Sequence, residues 1–204
     1  MIIEPKIYMD ADSIIDVLKH GLDITIHDYN YKKAHIDNCQ NFFKAAERKQ
    51  LTLMTSSISL KEVWHLSEKP PPEEHKRIIN SVLNSGQIFK IVNESIFITE
   101  RARDLNWIHG FEFKAGDATH LASALEAGCV EMLTNDRDFL DRKVEIQKLG
   151  ITVLRASGSG YYRLSMSNRC GSGSPQKKRI EKKGEKMRTR QRVVLSNKGG
   201  QALI

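Results

Sequence analysis

Short apolar segments alternate with longer segments of helical periodicity along the first 155 residues. Runs of four or five mostly apolar residues predict buried strands, because a strand covered on both faces of a sheet carries apolar side chains on both. The predicted strands are 6–9, 51–54, 88–92, 130–134 and 151–154. Helices are predicted at 13–20, 34–49, 57–66, from residue 73 onward, and at 95–107 and 117–127. Strands that alternate with helices are typical of an α/β fold with a parallel sheet covered on both faces.

The last part of the chain differs from the first in charge and composition. Residues 1–155 contain 20 Lys and Arg against 23 Asp and Glu, whereas residues 156–204 contain 12 against 2. The whole net charge of +7 therefore comes from the second segment. Its Gly- and Ser-rich stretches favour a flexible chain. We predict a folded domain at 1–155 and a basic tail of low order at 156–204, able to contact nucleic-acid phosphates without reading their sequence.

The sequence also argues against several classes of protein. No apolar run approaches the length of about 18 residues that spans a bilayer, and no signal peptide is visible at the N-terminus. Cys39, Cys129 and Cys170 are widely spaced and form neither a zinc pattern nor a disulfide framework. We therefore expect no membrane association and a cytoplasmic location.

Acidic side chains follow two of the predicted strands at the point where each strand ends. Asp10 and Asp12 come directly after the first strand, and Asp136 and Asp138 follow the fourth. The carboxyl ends of parallel strands gather functional groups at one edge of a sheet, so these carboxylates are expected to lie close together. A simpler interpretation also exists for two of them, because an Asp after a strand often caps the next helix. Asp12 would cap the helix at 13–20, and Asp138 would cap a short turn at 139–141.

Two further acids can reach the same edge from helices. Asp117 opens a predicted helix near the strand ends, and Glu62 lies among apolar residues on another helix. Crowded carboxylates raise one another's pKa, and a hard divalent cation relieves that repulsion. Without cysteines or a convergent histidine pair, the set predicts a Mg²⁺ or Mn²⁺ site rather than a zinc site, and phosphoryl transfer is the common chemistry of such sites.

Four segments resemble the motifs of PIN domains, and they occur in the order of that family. They are IYMDAD at 7–12, SISLKEV at 57–63, GDATHLASA at 116–124 and LTNDRDF at 133–139. The last two are the most specific. The resemblance covers about residues 5–155, and the subgroup that the chain resembles most is that of the VapC-type toxins, small endoribonucleases held inactive by an antitoxin. The tail at 156–204 has no counterpart in this subgroup.

The resemblance implies a three-layer α/β/α fold and an endoribonuclease that depends on Mg²⁺ or Mn²⁺. It implies an RNA substrate, an antitoxin protein as partner, and a homodimer. Carried over position by position, it implies an acidic site with metal ligands at Asp10, Asp117 and Asp136. Glu62 would bind metal or orient the attacking water, and Asp138 would be an auxiliary acid.

Two other functions remain open on the sequence alone. In a haloacid-dehalogenase-like phosphatase, Asp10 would be the nucleophile, but Leu121 stands where the second acid of a later motif is expected. In a non-catalytic RNA-binding module with a degenerate nuclease fold, the four acids would have no catalytic role. His120 is interpreted as a packed or surface histidine rather than a ligand, and Trp64 and Trp107 as core residues.

Overall fold

The computed structural model describes residues 4–63 and 70–161, and its centre is a five-stranded parallel sheet. The strands are β1 (Lys6–Met9), β2 (Thr52–Ser56), β3 (Phe89–Val92), β4 (Glu131–Leu133) and β5 (Thr152–Leu154). Their order across the sheet is β3-β2-β1-β4-β5, and each neighbouring pair is parallel. The parallel sheet predicted from the alternation of strands and helices is confirmed.

Helices connect the strands and cover both faces of the sheet. They are α1 (Ala11–Gly21), α2 (Tyr29–Glu47), α3 (Ser57–Glu62), α4 (Glu73–Asn84), α5 (Ile96–Trp107), α6 (Ala115–Glu126), α7 (Arg137–Asp141) and α8 (Lys143–Gln147). The last residues of the helix predicted at 57–66, with Trp64 among them, lie outside the described residues. Among the helices described, none has the length and apolar character needed to cross a bilayer.

Two apolar cores lie on opposite faces of the sheet, and β1 contributes to both. Ile7 and Met9 pack into one core with α1, α2 and α4, whereas Tyr8 packs into the other with α5 and α6. Successive side chains of a strand point to opposite faces, so Ile7, Tyr8 and Met9 are all apolar and all buried. This arrangement is the three-layer α/β/α architecture.

The strand order places a crevice at the carboxyl end of β1. The chain moves from β1 outward to β2 and β3 on one side, and later returns to place β4 on the other side of β1. Such a reversal of direction is the point at which open α/β sheets bind ligands, outside the carboxyl ends of their strands. Asp10 follows β1 and Asp136 follows β4 by three residues, so both lie at this crevice.

Residues just after the predicted domain boundary at 155 pack on the sheet. Ala156 is fully buried, and the backbone N–H of Gly160 donates to Oε1 of Glu131 at 3.2 Å. The Ser159 hydroxyl donates to the other oxygen of the same carboxylate. The chain therefore remains attached to the domain as far as residue 161, and residues 162–204 of the predicted tail lie outside the described residues.

Candidate active site

A pocket of about 250 Å³ opens at the carboxyl ends of β1 and β4, and acidic side chains dominate its lining. The acids that line it are Asp10, Asp12, Glu62, Asp117 and Asp136. The structure thus brings together all four residues predicted for the acidic site, and each comes from a different segment of the chain. It also adds Asp12, for which the sequence favoured a helix cap.

Asp10 is the most buried acid of the pocket, with only 3% of its surface exposed. Its Oδ1 accepts a hydrogen bond from the backbone N–H of Ser13 at 2.8 Å, so it caps α1. The cap considered for Asp12 was therefore wrong, since α1 begins at Ala11, two residues earlier than that assignment required. Burial raises the pKa of Asp10 to about 6, although hydrogen bonds from Ser13 and Thr134 oppose the increase.

Asp12 lies in the first turn of α1, at the mouth of the pocket. Partial desolvation raises the pKa of its carboxyl, and the nearby Lys32 ammonium opposes that increase. The negative charges of Asp16 and Glu62 raise it further. Asp12 therefore shares the electrostatic cost of the cluster.

The loop after β4 holds Asp136 and Asp138 through local hydrogen bonds. The backbone N–H of Asp136 donates to the Thr134 hydroxyl at 2.9 Å, and Oδ1 of Asp136 accepts from the N–H of Asp138 at 2.8 Å. Asp136 is thus the cap of α7, and the cap considered for Asp138 was wrong. The carboxylate of Asp138 is exposed beside those of the neighbouring acids.

Asp117, Asp136 and Asp138 form a close group of carboxylates at the pocket. Each offers one oxygen, and the three oxygens lie within 4.8 Å of one another. Desolvation raises the pKa of Asp117 and of Asp136, and the charge of a neighbouring acid adds to it in both cases. A set of close, mutually repelling oxygens fits a hard divalent cation such as Mg²⁺ or Mn²⁺, whose preferred ligands are carboxylates.

Glu62 faces the pocket from α3, and a buried histidine holds one of its oxygens. Its Oε2 lies 2.8 Å from Nε2 of His120, which is itself only 3% exposed. A Cβ at Gly116 would lie 3.3 Å from the other oxygen, Oε1, so the missing side chain gives Glu62 its space. The sequence interpretation of His120 as packed was correct for its burial, but it missed this contact with an acid of the pocket.

A comparison with known protein families matches residues 34–145, more than half of the chain, to the PIN domain. The chain belongs to the PIN domain family. PIN domains are generally metal-dependent nucleases, which agrees with the close carboxylate oxygens of Asp117, Asp136 and Asp138. The match includes the segments that carry Glu62, Asp117 and Asp136, and it begins after Asp10. A search of curated proteins found no match to this chain.

Proposed function

We propose that this PIN domain is an endoribonuclease that uses Mg²⁺ or Mn²⁺ to hydrolyse RNA phosphodiester bonds. The observation that carries the proposal is the meeting of Asp10, Glu62, Asp117 and Asp136 in one pocket of a PIN fold. A cluster of this kind does not stabilise the fold, because burial and like charge raise the pKa of three of these acids.

In this mechanism the acids of the pocket would hold the cation and orient the attacking water. Asp10, Asp117 and Asp136 would supply metal-binding oxygens, and Asp138 would be an auxiliary ligand. When bound, the cation supplies charge neutralisation at the phosphate and an acidified water. Glu62 either binds the cation as well or orients the water for in-line attack. The attack breaks the P–O3′ bond, and the products are a 5′-phosphate and a 3′-hydroxyl.

The resemblance to VapC-type toxins supports a place for this nuclease in a type II toxin–antitoxin pair in the cytoplasm. Under this proposal an antitoxin protein keeps the nuclease inactive, and the nuclease itself is a homodimer. The basic segment at 156–204 adds nonspecific attraction to RNA phosphates, since it holds 12 Lys and Arg against 2 Glu. Light scattering on the purified full chain tests the dimer.

Cleavage assays on the full-length protein test the activity itself. Structured and unstructured end-labelled RNAs are incubated with Mg²⁺, with Mn²⁺ or with EDTA. We expect cleavage that EDTA abolishes and that Asp117→Asn abolishes, whereas Glu74→Gln, which neutralises an exposed acid of α4, leaves cleavage unchanged. Equal cleavage in EDTA would refute the metal-dependent mechanism. The absence of cleavage with every RNA would refute the nuclease function.

Asp10→Asn separates the nuclease from the two alternatives. A nuclease loses cleavage with this change but retains RNA binding, whereas a non-catalytic RNA-binding module changes little in either assay. A haloacid-dehalogenase-like phosphatase would instead form a covalent aspartyl-phosphate on Asp10, which mass spectrometry detects after trapping. Membership of the PIN family favours the nuclease over the phosphatase.

A further inference from the structure

The imidazole of His120 connects the acidic pocket to the interior of the sheet. On the pocket side, its Nε2 lies 2.8 Å from Oε2 of Glu62. On the interior side, its Nδ1 lies 2.8 Å from the hydroxyl of Tyr8 on β1 and 3.3 Å from the hydroxyl of Ser56 at the end of β2. Both ring nitrogens therefore have partners, and these partners fix the ring of an α6 residue against α3, β1 and β2.

The chemistry of the partners determines which nitrogen carries the proton in the neutral ring. Tyr8 is fully buried, and burial raises the pKa of its phenol, so the group remains an O–H donor. A hydroxyl that donates to Nδ1 leaves Nε2 as the protonated nitrogen. The carboxylate of Glu62 can only accept, so the contact at 2.8 Å is an Nε2–H donor bonded to a carboxylate oxygen.

The opposite side of the Glu62 carboxylate is also constrained. Its Oε1 lies against the backbone of α6 at Gly116. A Cβ at that position would lie 3.3 Å from Oε1. The carboxylate therefore fits between a hydrogen-bond donor and a glycine of the same helix. Glu62 lies on the surface side of this pair, with 35% of its side chain exposed, and His120 lies on the buried side, with 4%.

We propose that His120 is a positioning residue that holds the Glu62 carboxylate in the pocket, with Tyr8 and Ser56 fixing the imidazole from behind. The proposal rests on the proposed nuclease function to the extent that Glu62 acts in cleavage. Groups that orient an active-site ligand through a hydrogen bond commonly contribute about 10- to 100-fold to metal affinity or activity. His120 acts only through Glu62, so its effect must vanish when Glu62 cannot respond.

A double-mutant cycle tests this dependence. We expect His120→Leu to lower kcat about 10- to 100-fold with little change in KM, and Glu62→Gln to lower kcat at least as much. In the Glu62→Gln background, His120→Leu should cause no further loss. Multiplied losses in the double variant would show an effect independent of Glu62 and would overturn the proposal.

Two further variants separate positioning from a general effect on folding. His120→Gln retains an N–H donor near the position of Nε2, so it should restore most of the kcat that His120→Leu loses. His109→Leu removes an exposed histidine after α5 and should leave kcat unchanged. If His120→Gln is as impaired as His120→Leu while both unfold at the temperature of the wild type, the hydrogen bond is not what matters and the proposal fails.

Nitrogen NMR of the metal-free protein tests the same contact without any cleavage assay. Labelled His120 should show the tautomer protonated at Nε2, and Glu62→Gln should shift that resonance. A ring protonated at Nδ1 alone, or a resonance that ignores Glu62→Gln, would overturn the proposal. If the wild type cleaves no RNA but the expected tautomer and shift are found, the nuclease function fails while the His120–Glu62 arrangement stands.

Discussion

His35 should make the stability of the fold depend on pH in a predictable direction. It lies on α2 with only 4% of its surface exposed. The backbone N–H of Ala156 donates to its Nδ1 at 3.4 Å, and its Nε2 lies 3.0 Å from the Ser13 hydroxyl. Burial, followed by the positive charges of Arg155 and Lys32, lowers the pKa of His35 from 6.5 to about 4.

The sign of the effect follows from comparing the folded and unfolded chains. Between pH 6.5 and about 4 the unfolded chain binds a proton at His35 that the folded protein excludes. The stability that the neutral ring provides is therefore complete above pH 6.5 and is lost as the pH falls towards 4. Each pKa unit corresponds to about 1.4 kcal/mol, so the interval is worth about 3 kcal/mol.

Urea denaturation followed by far-ultraviolet circular dichroism measures this contribution. His35→Gln is compared with the wild type at several pH values, because contributions from the buried carboxylates are common to both proteins and cancel. The wild type should lose about 3 kcal/mol relative to the variant as the pH falls from 6.5 to 4. The exposed His109→Gln controls for the loss of one histidine. A difference in unfolding free energy that stays constant with pH would refute the argument.

Three further predictions concern the pocket. Asp10→Asn keeps a capping side chain but removes a buried charge, since burial raises the pKa of Asp10 from 3.8 to about 6. The metal-free variant should therefore be more stable at neutral pH by about 3 kcal/mol in urea denaturation, and it should be inactive. Gly116→Ala adds a Cβ 3.3 Å from Oε1 of Glu62 and should lower kcat without lowering the melting temperature, since alanine favours a helix over glycine. Mn²⁺ should raise the melting temperature of the wild type but much less that of Asp117→Asn; equal increases would argue against the site.

Sequence patterns predicted the sheet well, because an apolar run of four or five residues is too short for a typical helix and fits a buried strand. The predicted and observed strands agree within about two residues at their ends, and the parallel arrangement follows from the helices between them. The assignment of Asp10 to the carboxyl edge needed nothing more than its place after β1. The same rule placed Asp136 beyond β4.

Single-residue roles at helix ends were beyond the sequence. Whether Asp10 or Asp12 caps α1 depends on where the backbone leaves the strand conformation, and both residue types cap equally well. Asp136 and Asp138 presented the same choice before α7. In both cases the residue nearer the strand is the cap, so each helix begins earlier than a cap at the second acid would allow.

The direction of large side chains at the ends of helices was also unpredictable. Trp107 was expected in the core, but it is the last residue of α5 and 78% of it is exposed, with the guanidinium of Arg103 5.2 Å from its ring centre.

For His120 a usable signal existed in its spacing from Asp117. Residues three apart on a helix share a face, so an acid at the pocket places the histidine beside it.

The unfavourable electrostatic free energy of the crowded acids is the strongest reason to connect the pocket with function. β1, α3, α6 and the loop after β4 each deliver a carboxylate to one crevice, and the domain has other surfaces where these charges would be fully hydrated. Burial raises the pKa of Asp10 to about 6, so the site favours the neutral form of this carboxyl below that pH. A fold selected only for stability would gain from removing that charge, as Asp10→Asn should show. A divalent cation held between these carboxylates, as we propose, would offset their repulsion, and stabilisation by Mn²⁺ that depends on Asp117 would show that effect directly.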